Sequence, residues 1–479
     1  MKSVKYVMMG ALMLSLSAPA MAQSDNKATI DAIAQAIKSN PAGAADQVKD
    51  VFKKYKKNAE VLTGIARAYF DVKDTANARN YAELALKADK KYGPVYILLG
   101  DIAVMNNDGG EAASQYQQAI YFDPKNPDAY YKYANIYRKT SPAEAVAKLE
   151  ELRAQRPDIA VDGMAGHIYY LENDFTKAIE RFGQAWSTQK EQMTESNLTE
   201  YAMSLFFKQK NQESLDVAKY GLTKNSRDAA FNRLAFFNST DLKDYDNALV
   251  YADALFNKSD SAKFSYFDYT YYGNAYIGKK EYAKGIEMLQ KALTMEFDSK
   301  TKRAGVVKAL SDAYKQSDDY DNAIKYYKEY LSDIEKPSAT DRASFAWLYV
   351  LQADGEKDAA KKEGLLKEAI NVYTALKNDE PDAADFTTYK IAQVNAMLDP
   401  ETKLGLAKPY YEELANMINA RENKDAADKA RLLEAYRYLG YYYLLKNDKT
   451  VSDGYWKKVL ELDPNNDAAK QVLGMGKKK

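Results

Sequence analysis

Residues 99–124 read LGDIAVMNNDGGEAASQYQQAIYFDP, and residues 439–464 read LGYYYLLKNDKTVSDGYWKKVLELDP. After the shared Leu-Gly, both segments place a small residue, an aromatic residue, a small or aliphatic residue and a proline at the same offsets. These residues are Ala112, Tyr116, Ala119 and Pro124 in the first segment and Ser452, Trp456, Val459 and Pro464 in the second. Spacing that recurs in this way predicts a repeated structural unit.

The same spacing can be followed along the chain between these two segments. With Gly93 as the first position of a unit of about 34 residues, we count about eleven units, some of them weak. Extra residues interrupt the register around Gln352–Glu363 and around Asn416–Lys429. We therefore expect longer helices, or a locally irregular array, near residues 350–430.

Each unit has the pattern of two amphipathic helices. Apolar residues fall at helical spacing in two runs of about a dozen residues. A short polar turn separates the runs, as at Asp244–Asn247 and Asp319–Asn322, where Asp or Asn side chains can cap the second helix. Small residues at matched positions allow the helices to approach closely, and aromatic residues fill the remaining space. The pattern predicts an all-α array of helix pairs.

This spacing resembles that of the tetratricopeptide repeat over roughly residues 59–464. The chain departs from the family pattern at position 4, where tyrosine replaces tryptophan, at Tyr96, Tyr130, Tyr269 and Tyr436. The resemblance implies a right-handed superhelical α-solenoid of tandem helix-turn-helix repeats. We expect residues 23–58 to form an N-terminal helical cap or a degenerate repeat, and residues 465–479 a C-terminal capping helix and basic tail.

Residues 1–22 have the features of an export signal. Lys2 and Lys5 precede an apolar run from Val7 to Leu16, and Ala20-Met21-Ala22 fits the small-x-small cleavage rule. The alternative is a membrane anchor, but the run is shorter than the roughly 20 residues of a spanning helix. We expect an exported bacterial protein of the periplasm. Its mature chain would have no integral membrane segment and would associate with the outer membrane only through partners.

The composition argues against several classes of function. Lys and Arg number 68, as do Asp and Glu, so the chain lacks the basic surplus of an avid nucleic-acid-binding protein. Cysteine is absent and His167 is the only histidine, which excludes thiolate chemistry and a histidine-rich metal site. Motifs for phosphate-binding loops, nucleophilic serines and zinc peptidases are also absent. We expect no metal, no cofactor, no nucleic-acid partner and no enzymatic activity.

The resemblance also implies where a partner would bind. In the family, positions 2, 5, 9 and 12 of each first helix line a concave groove, where rings supply contact area and amides bond a peptide backbone. The candidate groove residues in this chain are Tyr131, Asn135, Arg138, His167, Tyr170, Met203, Phe206, Thr270 and Asn274. The alternative for the rings is packing against neighbouring repeats. The family's clamp for a C-terminal carboxylate is not assembled, because Asn135 and Asn274 match only single elements of it.

Tyrosine is abundant, with 40 residues, and many tyrosines fall at core positions of the motif. Position 11 of the unit is occupied by Tyr69, Tyr137, Tyr169, Tyr276, Tyr314 and Tyr443. We expect these six side chains to pack in the core rather than to bind a ligand.

Two functions fit these expectations. The first is a non-enzymatic scaffold of the bacterial cell envelope that binds proteins or extended peptides in the concave groove. The alternative is a structural subunit of an envelope secretion or surface-assembly complex. In that case the convex face and the irregular stretch at 350–430 would carry the contacts.

Overall fold

The computed structural model describes residues 25–475 of the chain. These residues form α-helices and two short 3₁₀ turns, Lys190–Gln192 and Pro381–Ala383, and contain no β-strand. The predicted all-α architecture of tandem helix pairs is confirmed. The proposed export signal, 1–22, and the last residues of the basic tail, 476–479, lie outside the described residues.

The chain divides into two compact units, Met1–Asn238 and Ser239–Lys479, and helix α13 (Ala229–Asp241) crosses the boundary. The other helices of the first unit are α1 (25–39), α2 (Ala45–Tyr55), α3 (Ala59–Asp71), α4 (Thr75–Ala88), α5 (Gly93–Met105), α6 (Gly109–Phe122), α7 (Pro127–Tyr137), α8 (Pro142–Gln155), α9 (Val161–Leu171), α10 (Phe175–Thr188), α11 (Glu195–Phe207) and α12 (Asn211–Lys224). Those of the second unit are α14 (Tyr245–Asn257), α15 (Tyr266–Gly278), α16 (Tyr282–Leu293), α17 (Lys300–Gln316), α18 (Tyr320–Asp333), α19 (Ala339–Gly355), α20 (Ala359–Asp379), α21 (Ala384–Leu398), α22 (Lys408–Asn419), α23 (Ala426–Leu445), α24 (Lys449–Leu462) and α25 (Asp467–Val472).

Along the described chain, the helices from α3 to α24 form eleven successive pairs. Turns of three or four residues join the two helices in ten pairs, and the longer loop 399–407 joins α21 to α22. The lengths of the helices vary most in the second unit. Helix α20 has 21 residues and α23 has 20, and both begin inside or next to the stretches where the sequence register is interrupted. None of the helices in residues 25–475 is long and apolar enough to span a membrane.

Most turns within a pair share one backbone device. The second residue after the first helix has a positive φ in eight pairs, at Lys73, Asn107, Asn173, Gln209, Lys243, Lys280, Asp318 and Asn447. In the first pair, the backbone N–H of Asp74 donates to the carbonyl of Tyr69 at 2.9 Å. The Asp74 carboxylate accepts the backbone N–H of Asn77 at 3.0 Å. A single residue therefore closes one helix and caps the next.

Small residues and large rings meet at the contact between paired helices. Ala78, Ala82 and Ala85 of α4 are fully buried along one face of the helix. In the last pair, a Cβ added to Gly440 would lie 2.8 Å from Trp456 Nε1, and Ser452 Oγ donates to the Gly440 carbonyl at 2.8 Å. The close approach inferred from the repeated spacing is therefore present in the structure.

Of the position-11 tyrosines, Tyr69 is buried in the core at 6% exposed, and the other five are half-buried. Packing against the core is confirmed for Tyr137, Tyr169 and Tyr314, although these rings are less deeply buried than expected. Their rings pack at the margin of the core, where the hydroxyl can reach a polar partner. The Tyr443 hydroxyl donates to Glu412 Oε1 at 3.2 Å, and Tyr314 accepts from Gln290 Nε2 at 3.1 Å. A phenol at the edge of a helix pair keeps its polar end out of the apolar interior.

Both ends of the described array carry additional helices. Ile33, Ile37 and Val48 of α1 and α2 are buried in one core with Val61 and Leu62 of α3. At the other end, Ala469 of α25 is fully buried in the core of the last pair. These helices cover apolar faces of the adjacent pairs that water would otherwise contact.

Candidate functional site

The first unit brings four of the predicted groove residues together on α9 and α11. His167 Nδ1 lies 2.9 Å from the Glu200 carboxylate, and the Tyr170 hydroxyl lies 3.4 Å from Met203 Sδ. The ring of Phe206 lies 6.0 Å from that of Phe237, centroid to centroid. Part of this surface is therefore used for contacts between successive helix pairs.

The three candidates on α7 differ from one another. Tyr131 is half-buried and packs against the core formed by α5 to α9, as the alternative interpretation of the rings anticipated. Burial raises the pKa of its phenol, and the nearby charge of Arg156 opposes that shift. Asn135 is exposed, and Arg138 is the residue that directly follows α7.

The remaining candidates, Thr270 and Asn274, lie on α15 in the second unit. The Thr270 hydroxyl donates to the carbonyl of Tyr266 in its own helix at 2.7 Å. Asn274 is exposed. Of these two residues, only Asn274 presents its polar group without such a bond to its own helix.

Ion pairs also connect the first helices of three successive pairs in the first unit. Asp101 of α5 is 8% exposed and accepts from Lys132 of α7 at 2.8 Å and from the Tyr116 hydroxyl at 2.9 Å. Arg67 of α3 lies 2.9 Å from the same carboxylate. A buried carboxylate with two cations and a hydroxyl is well compensated, so this cluster holds three successive pairs in register.

The second unit contains a cavity of about 530 Å³ between the first helices of three successive pairs, α17, α19 and α21. Its walls include Lys308, Asp312, Lys315, Tyr327, Thr340, Asp341, Ser344, Trp347, Tyr373, Phe386 and Lys390. The volume lies in the range of small-ligand and peptide sites. None of these residues was among the sequence candidates.

Trp347 and Lys390 lie close together in the lining of this cavity. Trp347 of α19 is 44% exposed, although most of its neighbours in the helix are buried. Lys390 Nζ lies 5.2 Å from the centroid of the Trp347 ring and 5.9 Å from that of Phe386. Burial lowers the pKa of Lys390, with the charge of Arg431 acting in the same direction and that of Glu434 opposing it.

A second cavity of about 320 Å³ shares Trp347 and Lys390 with the first and extends toward α23. Its walls include Gln393, Met397, Tyr411 and Glu434. Glu434 accepts the hydroxyls of Tyr411 at 2.8 Å and Tyr389 at 2.7 Å. We call the two cavities together the α17–α23 groove.

Charged side chains on the α17 side of the groove are paired. Lys308 Nζ lies 2.9 Å from Asp341, which also accepts from Ser338 Oγ at 2.6 Å and from the Tyr330 hydroxyl at 3.0 Å. Burial opposes ionisation of Asp341, but these hydrogen bonds outweigh it and lower the pKa of its carboxyl to about 2. Lys315 lies 2.8 Å from Asp312 in its own helix.

The groove was missed because the motif is weak in its first helices. Around Gln352–Glu363 the register is interrupted, so positions 2, 5, 9 and 12 could not be assigned to α19 or α21. One signal was available: the chain has three tryptophans, and Trp347 follows Ala343 and Ala346 on a helix where the neighbouring apolar positions turn inward. An indole on the outer side of such a helix suggests a contact surface.

Family comparisons match three parts of the chain. The family described as tetratricopeptide repeat matches residues 59–92 and 309–332, and the family described as TPR repeat matches residues 100–141. The chain carries tetratricopeptide repeats. Proteins built from tetratricopeptide repeats generally serve as scaffolds that bind other proteins or peptides. A comparison with curated proteins gave no match.

Solved structures with tetratricopeptide repeats are similar to this chain. The C-terminal part of a TPR repeat-containing protein from Cytophaga hutchinsonii is 24% identical and has a TM-score of 0.47, and the alignment covers 57% of this chain and 99% of that one. A tetratricopeptide repeat protein from Parabacteroides merdae is 16% identical, with a TM-score of 0.33 and coverage of 54% and 98%. PilF from Pseudomonas aeruginosa is 17% identical, with a TM-score of 0.34 and coverage of 42% and 93%.

Proposed function

We propose that this protein is a non-enzymatic scaffold of the bacterial cell envelope that binds an extended segment of a partner protein. The observation that carries the proposal is the α17–α23 groove. Its two cavities are lined mainly by the first helices of four successive pairs and share an exposed indole, that of Trp347. Cavities that border four successive helix pairs with apolar rings and scattered polar groups suit a polypeptide in extended conformation better than a compact small molecule.

Site-specific crosslinking in intact cells tests the groove. A benzophenone amino acid replaces Trp347 in one variant and Tyr121 in a control variant. Tyr121 is 77% exposed on α6, far from the groove in sequence, and lines neither cavity of the groove. We expect a discrete protein adduct from position 347 that is absent from position 121. Equal adducts from both positions, or none from position 347, would contradict the proposal.

The groove residues predicted on α7 and α9 receive a separate test. The triple variant Tyr131→Ala/Asn135→Ala/Tyr170→Ala should reduce recovery of the same partner only if the partner also contacts the first unit. Recovery equal to wild type, from a variant with an unchanged circular dichroism spectrum, would exclude these residues from the binding surface.

The envelope location rests on the sequence features of residues 1–22. Cell fractionation with N-terminal sequencing of the recovered protein tests it. We expect a periplasmic protein that begins at Gln23. A cytoplasmic protein that retains Met1 would refute this part of the proposal.

A second surface favours the alternative role as a structural subunit of an envelope secretion or surface-assembly complex. Leu404 is 72% exposed, Tyr441 44% and Leu445 41%. The loop before α22 and the end of α23 are adjacent, because Lys446 Nζ donates to the Lys403 carbonyl at 3.0 Å. Exposed apolar side chains gathered in this way commonly mark a protein contact.

Substitution of this patch tests the alternative. The variant Leu404→Ser/Leu445→Ser should leave a large envelope complex and sediment as the free protein. Val250→Ser, at a position 62% exposed on α14, is the control and should sediment as wild type does. Identical sedimentation of the patch variant and wild type would remove the alternative.

A further inference from the structure

Lys390 differs from the other lysines of the α17–α23 groove in its lack of a counter-ion. Lys308 and Lys315 each lie within 3.0 Å of an aspartate. Lys390 Nζ instead contacts the amide oxygen of Gln393 at 3.2 Å, and no carboxylate among residues 25–475 lies within 4.0 Å of it. The ammonium group therefore forms no direct ion pair, and the charges of Glu434 and Arg431 act on its pKa in opposite directions.

The surroundings of Lys390 make that charge available to a ligand. Three rings lie around the ammonium group, those of Trp347, Tyr389 and Phe386, at 5.2, 5.7 and 5.9 Å from Nζ. Rings attract a cation but do not neutralise it. A partly buried ammonium with few water molecules gains more from a carboxylate than an exposed lysine does.

The position of Lys390 indicates which carboxylate would reach it. Lys390 and Trp347 line both cavities, so a ligand that occupied both would contact these two side chains. A peptide that ended at Lys390 would leave one of the two cavities empty. A chain that fills both cavities passes over Lys390 and presents a side chain there.

The charges elsewhere in the groove limit the ligand to one acidic residue at this point. On the α17 side, Asp312 and Asp341 already hold their own lysines. On the α23 side, the Glu434 carboxylate lines the second cavity and would repel a second acidic side chain. Neutral or apolar residues therefore suit both flanks.

We propose that the bound segment carries one internal aspartate or glutamate that pairs with Lys390, next to an apolar side chain that packs on Trp347 and Phe386. This inference rests on the proposed function, because it names the chemistry of the segment that the groove would hold. A charge-assisted hydrogen bond of this kind contributes about tenfold or more to affinity.

Selection from two random peptide libraries tests the inference. One library is displayed through its C-terminal end and has no free terminal carboxylate, and the other is displayed with a free C-terminus. Each is selected against wild type, Lys390→Gln, Lys390→Arg and the control Lys367→Gln. Lys367 is an exposed lysine of α20 that lines neither cavity of the groove.

We expect wild type and Lys367→Gln to enrich peptides with one internal Asp or Glu beside an apolar residue, from both libraries. Lys390→Gln should keep the apolar preference and lose the acidic one, and Lys390→Arg should keep both. The affinity of a selected peptide, measured by fluorescence anisotropy, should fall about tenfold when its acidic residue is replaced by the amide.

Three results would overturn the inference. Peptides without an acidic preference, or a preference that survives Lys390→Gln, would refute the pairing and leave the proposed function intact. Enrichment from the free C-terminus library alone would assign the groove to a terminal carboxylate. Failure of both libraries to yield any peptide that binds wild type better than Trp347→Ala would refute the proposed function together with the inference.

Discussion

The ring of Tyr116 covers the backbone of Gly100 so closely that a Cβ placed on the glycine would lie 2.3 Å from Tyr116 Cε1. The ring is 2% exposed, and its hydroxyl donates to Asp101 at 2.9 Å. The Tyr116 ring therefore cannot move away from Gly100 without breaking the buried hydrogen bond between its hydroxyl and Asp101. The contact between α5 and α6 therefore depends on the absence of a side chain at residue 100.

Replacement of this glycine should destabilise the first unit although alanine favours helices. We expect Gly100→Ala to lower the free energy of unfolding by about 1–3 kcal/mol, because the added methyl group overpacks the contact. Thermal melting followed by circular dichroism measures the effect. Gly110→Ala is the control in the same pair, since a Cβ there would lie 3.6 Å from Asp108 Oδ1, which is an ordinary contact distance. It should melt at or above the wild-type temperature, and equal melting of the two variants would contradict the proposed packing.

The left-handed turn residue offers a stabilising substitution. Lys73 has a φ of 63°, a conformation that costs a residue with a Cβ about 1–2 kcal/mol. We expect Lys73→Gly to raise the free energy of unfolding by up to about 1 kcal/mol. This net gain is smaller than the relieved strain, because glycine also raises the entropy of the unfolded chain. Lys73→Ala removes the same long side chain but keeps the Cβ, so it should give no gain. A gain from alanine as large as that from glycine would show that backbone strain is not the cause.

The Asp101 cluster predicts that Lys132 contributes more to the free energy of unfolding than a lysine on the surface does. We expect Lys132→Met to cost about 1–2 kcal/mol, because Asp101 stays buried with Arg67 and Tyr116 as its remaining partners. Lys139→Met, at an exposed position just beyond α7, should change stability by less than about 0.5 kcal/mol. Chemical denaturation of the two variants beside wild type provides the comparison, and equal costs would argue against a structural role for the cluster.

Asp341 predicts a defined dependence of stability on pH. Its pKa in the folded protein, about 2, lies below the ordinary value of 3.8. A lowered carboxyl pKa stabilises the fold above the ordinary pKa, and this stabilisation disappears as the pH falls from about 4 to about 2. The difference in unfolding free energy between wild type and Asp341→Asn should be about 2 kcal/mol at pH 6 and should shrink across that range. Urea titrations at several pH values measure it, and a difference that does not vary with pH would contradict the assignment.

The sequence predicted the helix pairs well because their determinants are local. A glycine opposite a ring, as at Gly440 and Trp456, and an aspartate at the start of the second helix each leave a recognisable residue at a constant offset. The residues of the α17–α23 groove do not recur at a constant offset in the sequence. Its key residues, Trp347 and Lys390, lie on different helices, and the residues inserted between them removed the register that relates one helix to the next.

The same distinction explains the half-buried tyrosines. The repeat specifies that a ring stands at position 11, but how deep the ring lies depends on the polar group that its hydroxyl meets. At Tyr443 that group is Glu412, which belongs to the preceding pair. Contacts between pairs vary from one repeat to the next, so a pattern shared by all repeats does not encode them.

The turn at Lys73 and Asp74 has a consequence for how such a chain can change in length. Asp74 bonds to the end of α3 and caps the start of α4, so this turn serves both helix ends from within the pair. Aspartates cap the second helix in the same way in five other pairs, at Asp108, Asp174, Asp244, Asp319 and Asp448. We expect insertions or deletions of whole pairs to be tolerated when their boundaries lie between the second helix of one pair and the first helix of the next pair. A boundary inside the turn of a pair would remove the hydrogen bonds of two helix ends at once. The array can therefore be lengthened or shortened in steps of one helix pair, because the turn that completes both helix ends lies within the pair.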